Sequence, residues 1–306
     1  MSSSGSTGRV GGCIALAVVL TLVGCAPREE PARAVADTAA PPPPVDDFRH
    51  EAPRGDARRI VSLNPATTEL LLALGAGDRL VGRTSWDLYS PAVRRVRDLG
   101  NGIRPNIEAV LETRPDLVIL YGSEDNVIAA QRLRDAGVVT LSLKLDRIGQ
   151  FERAALLVGS AVGREDRAQV IVDSVQRTLD SVRTAVAGMD RPRAFWHVWD
   201  SPIITIGRGS FLHELLEIAG AENVYADVGT PSPRVELEDI ARRDPAVVLA
   251  GPVGARRIRA EQRWRAVRAV RNDRVLVVDT NLVARPSVRL GEAAVSLARL
   301  LHPGSL

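Results

Sequence analysis

Between about Ile148 and Met189 this chain carries helical spacing and no strand signal, whereas on both sides of that stretch strand and helix signals alternate. The apolar residues of the stretch fall at Phe151, Ala155, Val158 and Val162, then at Ile171, Val175, Leu179, Val182 and Val186. Steps of three or four residues line one face of a helix. Gly163-Arg164-Glu165-Asp166 breaks the pattern, so one helix followed by a longer one is expected. On the N-terminal side the apolar runs Ile60–Leu63, Leu80–Gly82, Leu117–Leu120 and Val138–Leu141 read as strands. Helices are predicted between them over Leu70–Leu74, Ile107–Thr113 and Val127–Ala136. After Pro192 the alternation resumes, with strands at Ala194–Val198, Ala246–Leu249 and Val275–Val278 and helices at Phe211–Ile218, Val235–Arg242 and Leu290–Leu301. Strands that alternate with helices imply parallel sheets covered by helices. The predicted fold class is α/β: two β/α lobes joined by a single long helix, with lobes at 58–147 and 191–306 and the linking helical segment at 148–190.

The two halves also repeat each other. Glu69-Leu-Leu-Leu-Ala-Leu-Gly75 resembles Glu214-Leu-Leu-Glu-Ile-Ala-Gly220, and each is followed later by a short acidic helix start. In the first half this start is Pro105-Asn106-Ile107-Glu108, with Pro115 seven residues after the Glu; in the second it is Val235-Glu236-Leu237-Glu238, with Pro245 seven residues after the Glu. The same order on either side of a strand-free segment is the signature of a duplicated unit.

The first residues are an address. Arg9 precedes an apolar run from Cys13 to Val23 that is too short to span a bilayer and ends in Leu22-Val23-Gly24-Cys25. This resembles a bacterial lipobox, so residues 1–24 are expected to be a lipoprotein signal peptide and Cys25 the lipidated residue. Residues 25–57, rich in Pro and Ala, cannot bury much apolar surface and are expected to be a disordered tether. That places the body outside the cytoplasmic membrane as a lipid-anchored protein, in the periplasm or on the outer face. With no cysteine after Cys25, neither a disulfide framework nor a thiolate metal site is available to the body.

A net charge of +3 is spread over 40 basic and 37 acidic residues that are interleaved along the chain. Phosphate binding needs a one-sided basic face, so no nucleic-acid partner is expected. Gly75-x-Gly77 follows a helix rather than opening one, so it is no dinucleotide cradle. No nucleophile elbow and no metal-spaced histidines appear, so an extracytoplasmic β/α enzyme is a distant alternative. No catalytic residue, no resident metal and no cofactor are expected.

Arg59-Ile-Val-Ser-Leu-Asn-Pro-Ala-Thr-Thr-Glu-Leu70, the segment Leu80–Pro91, Asn106-Ile107-Glu108 and Arg114-Pro-Asp-Leu-Val-Ile119 together resemble the helical-backbone periplasmic binding proteins. These are the solute receptors of ABC importers for cobalamin, ferric siderophores and haem, and within them the cobalamin branch is the most similar. The resemblance covers about Arg58 to His302. It implies a non-enzymatic receptor whose ligand sits in a cleft between the lobes and is handed to a permease driven by ATPase subunits. A cobalamin-like chelate is the first expectation, a ferric siderophore or haem the alternative.

In open β/α lobes, ligands bind beyond the carboxyl ends of the strands. That rule nominates Asn64 and Pro65, Trp86 and Tyr89, Tyr121, Trp199, and Arg285 and Arg289 as ligand-binding residues. Flat rings suit a corrin or porphyrin face. By resemblance, Trp86 and Tyr121 fall where cobalamin receptors carry aromatic contacts, and Arg289 matches an Arg of their Arg-x-Ser-x-Arg segment, whereas Gly102 and Val198 stand where they carry Trp and Phe. Glu108 and Glu238 match the acids with which the family docks on arginines of the permease.

Overall fold

The computed structural model describes residues 55, 57–87 and 90–304. The signal, Cys25, nearly all of the tether and Tyr89 lie outside these residues. Among the described residues no helix is long and apolar enough to cross a membrane.

The first lobe opens with strand β1 (Ile60–Leu63) and helix α1 (Pro65–Ala73), then β2 (Leu80–Gly82), α2 (Ile107–Glu112), β3 (Leu117–Tyr121), α3 (Glu124–Asp135) and β4 (Val139–Leu143). Helix α1 starts five residues before the predicted Leu70. Asn64 is extended, its side-chain oxygen accepts from Ala66 N, and Pro65 takes the first helical position, where its missing N–H costs nothing. Helices α4 (Ile148–Ala161) and α5 (Glu165–Ala185) follow. The 21 residues of α5 span about 31 Å.

The second lobe contains β5 (Arg193–His197), a small antiparallel hairpin of β6 (Trp199–Asp200) and β7 (Ile203–Ile204), α6 (Phe211–Ile218), β8 (Glu222–Asn223), α7 (Leu237–Arg243), β9 (Val247–Ala250), α8 (Pro252–Ala260), α9 (Arg268–Arg271), β10 (Val275–Val277), α10 (Thr280–Val283) and α11 (Leu290–Leu301). The hairpin, β8 and α8 carry too few periodic residues to stand out in the sequence.

Both main sheets are parallel and have one topology. The first runs β2-β1-β3-β4 and the second β8-β5-β9-β10, so in each the strands lie second, first, third, fourth. The two repeated motifs occupy equivalent places. Glu69 and Glu214 lie on α1 and α6, and these helices stop at Gly75 and Gly220, both at positive φ (74° and 82°), where glycine alone avoids a steric penalty. Glu108 and Glu238 each stand second in α2 and α7, the helices that lead into the third strand.

The core explains how the lobes are held. One buried cluster runs from the first lobe (Ile60, Leu117, Ile119) through α4 and α5 (Phe151, Val158, Val175, Leu179) to the second lobe (Trp196, Leu249) and its α11 (Leu297, Leu301). Separate clusters cover the outer face of each sheet. The linking helices therefore pack into both lobes at once rather than forming a loose strap.

Candidate functional site

Each sheet reverses strand order beside its first strand, and the crevice outside the carboxyl ends at such a switch point is where open α/β sheets bind ligands. The two crevices meet. One cavity of about 250 Å³ is lined from the first lobe by Asn64, Tyr121 and Asp146, and from the second by Ser210, Phe211 and Arg285. A second, of about 390 Å³, lies at the end of β5 and β9 and is lined by Trp196, His197, Trp199, Gly251 and Val253. Ala284 borders both. Asn64, Tyr121 and Arg285 are thus brought together between the lobes, and Trp199 lines the adjoining cavity of the second lobe.

The floor is polar and its groups are engaged. Asn64 is buried and uses its amide oxygen as the α1 cap. The Tyr121 hydroxyl donates to Asp146 Oδ1, and burial, reinforced by that carboxylate, pushes the phenol well above its usual range. Asp146 N and Arg147 N both donate to Gln150 Oε1, at 2.8 and 3.0 Å, which fixes the turn from β4 into α4. Arg285 Nε donates to Glu69 Oε1 at 2.9 Å. Arg289 lies outside both cavities, and its Nε meets Glu292 Oε2 at 3.0 Å at the start of α11. Pro65 is half-buried as the first residue of α1.

The rim is apolar. Trp86 and Trp199 are 66% and 61% exposed, on the segments that follow β2 and β5. Ile103 and Val198, in the segments after β2 and β5, and Val253, at the start of α8 after β9, are exposed as well. Isolated exposed apolar residues are ordinary, but a set gathered at the strand ends that border a cleft points to a ligand. His197, at the end of β5, is buried, and burial lowers its pKa against the opposing pull of Asp200. Its Nε2 lies 2.9 Å from Asp200 Oδ1, and Asp200 Oδ2 accepts from Arg257 at 2.6 Å. Enclosed in this way, His197 supports the hairpin that carries Trp199.

Two features account for residues that sequence reasoning places poorly. Gly102 has φ +82°, and a Cβ there would lie 2.4 Å from the Leu63 carbonyl oxygen, so an aromatic residue cannot occupy this backbone. Asn126, buried and absent from the sequence prediction, holds that loop: its amide nitrogen donates to Gly102 O and Tyr121 O, and its oxygen accepts from Arg104 N. Asp87 is likewise buried on the loop after β2, accepting from Thr84 N and Oγ1 at 2.8 and 2.7 Å. Burial raises its pKa despite these bonds and the nearby Arg285 charge. Among the described residues no cluster of His, Cys, Asp and Glu has a metal-holding arrangement.

The periplasmic binding protein family model matches residues 60–282. The chain belongs to this family. Within it, the chain is 30% identical to the ABC transporter substrate-binding lipoprotein YvrC of Bacillus subtilis over 94% of both chains. The periplasmic vitamin B12 binding protein BtuF of Vibrio cholerae superposes with a TM-score of 0.72 at 25% identity, covering 80% of this chain and 96% of that one. The fold is shared as well by the periplasmic haem-binding protein BhuT in complex with two haems, with a TM-score of 0.73 at 23% identity over 82% of this chain and all of that one. The two-lobe arrangement with parallel sheets is the one expected of this family.

Proposed function

We propose that this protein is the lipid-anchored receptor of an ABC importer, that it captures a cobalamin-like metal chelate in the inter-lobe cleft, and that it delivers the chelate to a membrane permease without chemistry. The observation that carries the choice of ligand is the state of the cleft arginines. A receptor for an anionic siderophore needs cationic side chains to clamp it, yet Arg285, which lines the cleft, is paired with Glu69, and Arg289 stands outside both cavities, paired with Glu292. What the strand ends around the cleft offer instead is an exposed Trp from each lobe above a polar floor, which suits a large, flat, nearly neutral chelate. Kinship with the lipoprotein YvrC supports the anchored receptor, and kinship with a B12-binding protein supports the ligand.

Glu108 and Glu238 are both exposed, at matching positions of the two lobes. Two equivalent acids suit a permease with two-fold symmetry, and charge pairing of this kind mainly sets orientation and encounter rate. The anchor at Cys25 rests on the lipobox.

The deciding experiment titrates the full chain in detergent with cyanocobalamin, haem and a ferric siderophore, read by quenching of Trp fluorescence. Saturable quenching by cyanocobalamin at the lowest concentration is expected. Preference for haem or the siderophore replaces the ligand while keeping the receptor, and no response to any of the three removes the receptor reading.

A further inference from the structure

The internal duplication produces a pair of contacts across the lobes. Glu69 and Glu214 are the first residues of the repeated Glu-Leu-Leu motif, on α1 and α6. Each carboxylate is met by an arginine from beyond the fourth strand of the opposite lobe. Glu69 receives Arg285, from between α10 and α11, with Nε at 2.9 Å and a terminal nitrogen at 2.7 Å. Glu214 receives Arg147, at the start of α4, with Nε at 2.6 Å, and it also accepts from Ile148 N at 2.7 Å.

The two contacts differ in environment. Glu69 and Arg285 are 4% and 17% exposed at the side chain, and Arg285 also acts on the buried Asp87. Withdrawing Arg285 would leave two buried carboxylates without their nearby cation, which is strongly unfavourable. Glu214 and Arg147 are 23% and 44% exposed, so separating them returns both charges to water at little cost. The packed core that continues through α4, α5 and α11 into both lobes restricts any other motion.

We propose that the cleft opens and closes about the buried Arg285–Glu69 contact as a pivot, with the Arg147–Glu214 pair as a latch that yields, so that these four side chains set the width of the cleft. The proposal rests on the cleft being the ligand site. Arg285 is then a positioning residue rather than a ligand clamp.

The test measures the distance between lobes without ligand. Spin labels at Ile128→Cys on α3 and Arg242→Cys on α7, both exposed, are placed in the full chain carrying Cys13→Ser and Cys25→Ser. Glu214→Gln should lengthen and broaden the distance distribution while leaving thermal stability near that of the parent. High salt should broaden the parent toward the same distribution, because exposed pairs are screened. Glu69→Gln should instead lose the single preferred distance, or fail to fold; salt and Glu214→Gln keep the proposal testable in the second case. An unchanged distribution in both Glu214→Gln and high salt overturns the latch. A Glu69→Gln distribution indistinguishable from that of Glu214→Gln overturns the pivot. Because no ligand is involved, failure here leaves the proposed ligand untouched, and the faster release of bound cyanocobalamin expected from Glu214→Gln is read separately.

Discussion

The two lobes share one strand order but not one interior. The outer core of the first is entirely aliphatic, built from Val61, Leu63, Leu99, Val110, Val118, Leu120, Ala129, Ala130, Leu133 and Val138. That of the second is centred on aromatic rings: Phe195 packs edge-on to Tyr225 with centroids 6.1 Å apart and lies 6.2 Å from Trp264, which in turn meets His197 at 5.7 Å. Among the described residues, the second lobe alone also carries the hairpin that presents Trp199. A duplicated scaffold can therefore keep its topology, its glycine stops and its cross-lobe acids while its packing diverges, because topology depends on pattern and packing on volume.

Damaging each interior separately should produce the largest effects. Trp264→Ala should cost about 3–5 kcal/mol and Leu120→Ala about 2–5 kcal/mol, as both side chains are fully buried. Because one core cluster joins the lobes, both variants should lower a single unfolding transition, seen alike by Trp fluorescence and far-UV dichroism. Two separate transitions would mean that the lobes fold independently. A smaller effect separates the rims. Trp86→Ala and Trp199→Ala should leave stability unchanged and each weaken cyanocobalamin binding about tenfold, equivalent to about 1.4 kcal/mol. Loss from only one of them would place the ligand on one lobe.

The smallest effect concerns acid. Bonds from Gly100 N and Ser85 hold the Asp98 carboxyl of the first lobe below its usual range, and the Arg243 guanidinium does the same for Asp227 of the second. A lowered carboxylate contributes stability above its unfolded value, here 3.8, and loses it as pH falls through the lower folded value. Denaturation midpoints should therefore drop below that pH, and Asp98→Asn or Asp227→Asn should each flatten the drop. Asp87 has the opposite sign. Its raised pKa contributes stability below 3.8 that is lost as pH rises, so Asp87→Asn should change the slope in the other direction.

Much of the fold is legible in the sequence because it depends on local periodicity. Helices α6 and α11 begin and end at the predicted residues, and the repeat found in the sequence marks equivalent helices. The sequence places the start of α1 too late because Asn64-Pro65 reads equally as a turn. The site is legible only as a set of strand ends.

The alternation of strands and helices, the duplication, the linking helices and the rows of apolar residues that form the core can all be read from the chain alone, since each is written in the spacing of neighbouring residues. What the charged and polar residues do is fixed only once the chain is folded. Arg285 and Glu69 are 216 residues apart, Asn126 reaches back to Gly102, and a carbonyl of β1 leaves Gly102 no room for a side chain. Hydrogen bonds and ion pairs act over a few ångströms, and which groups come that close is settled by how the lobes pack, not by their order along the chain.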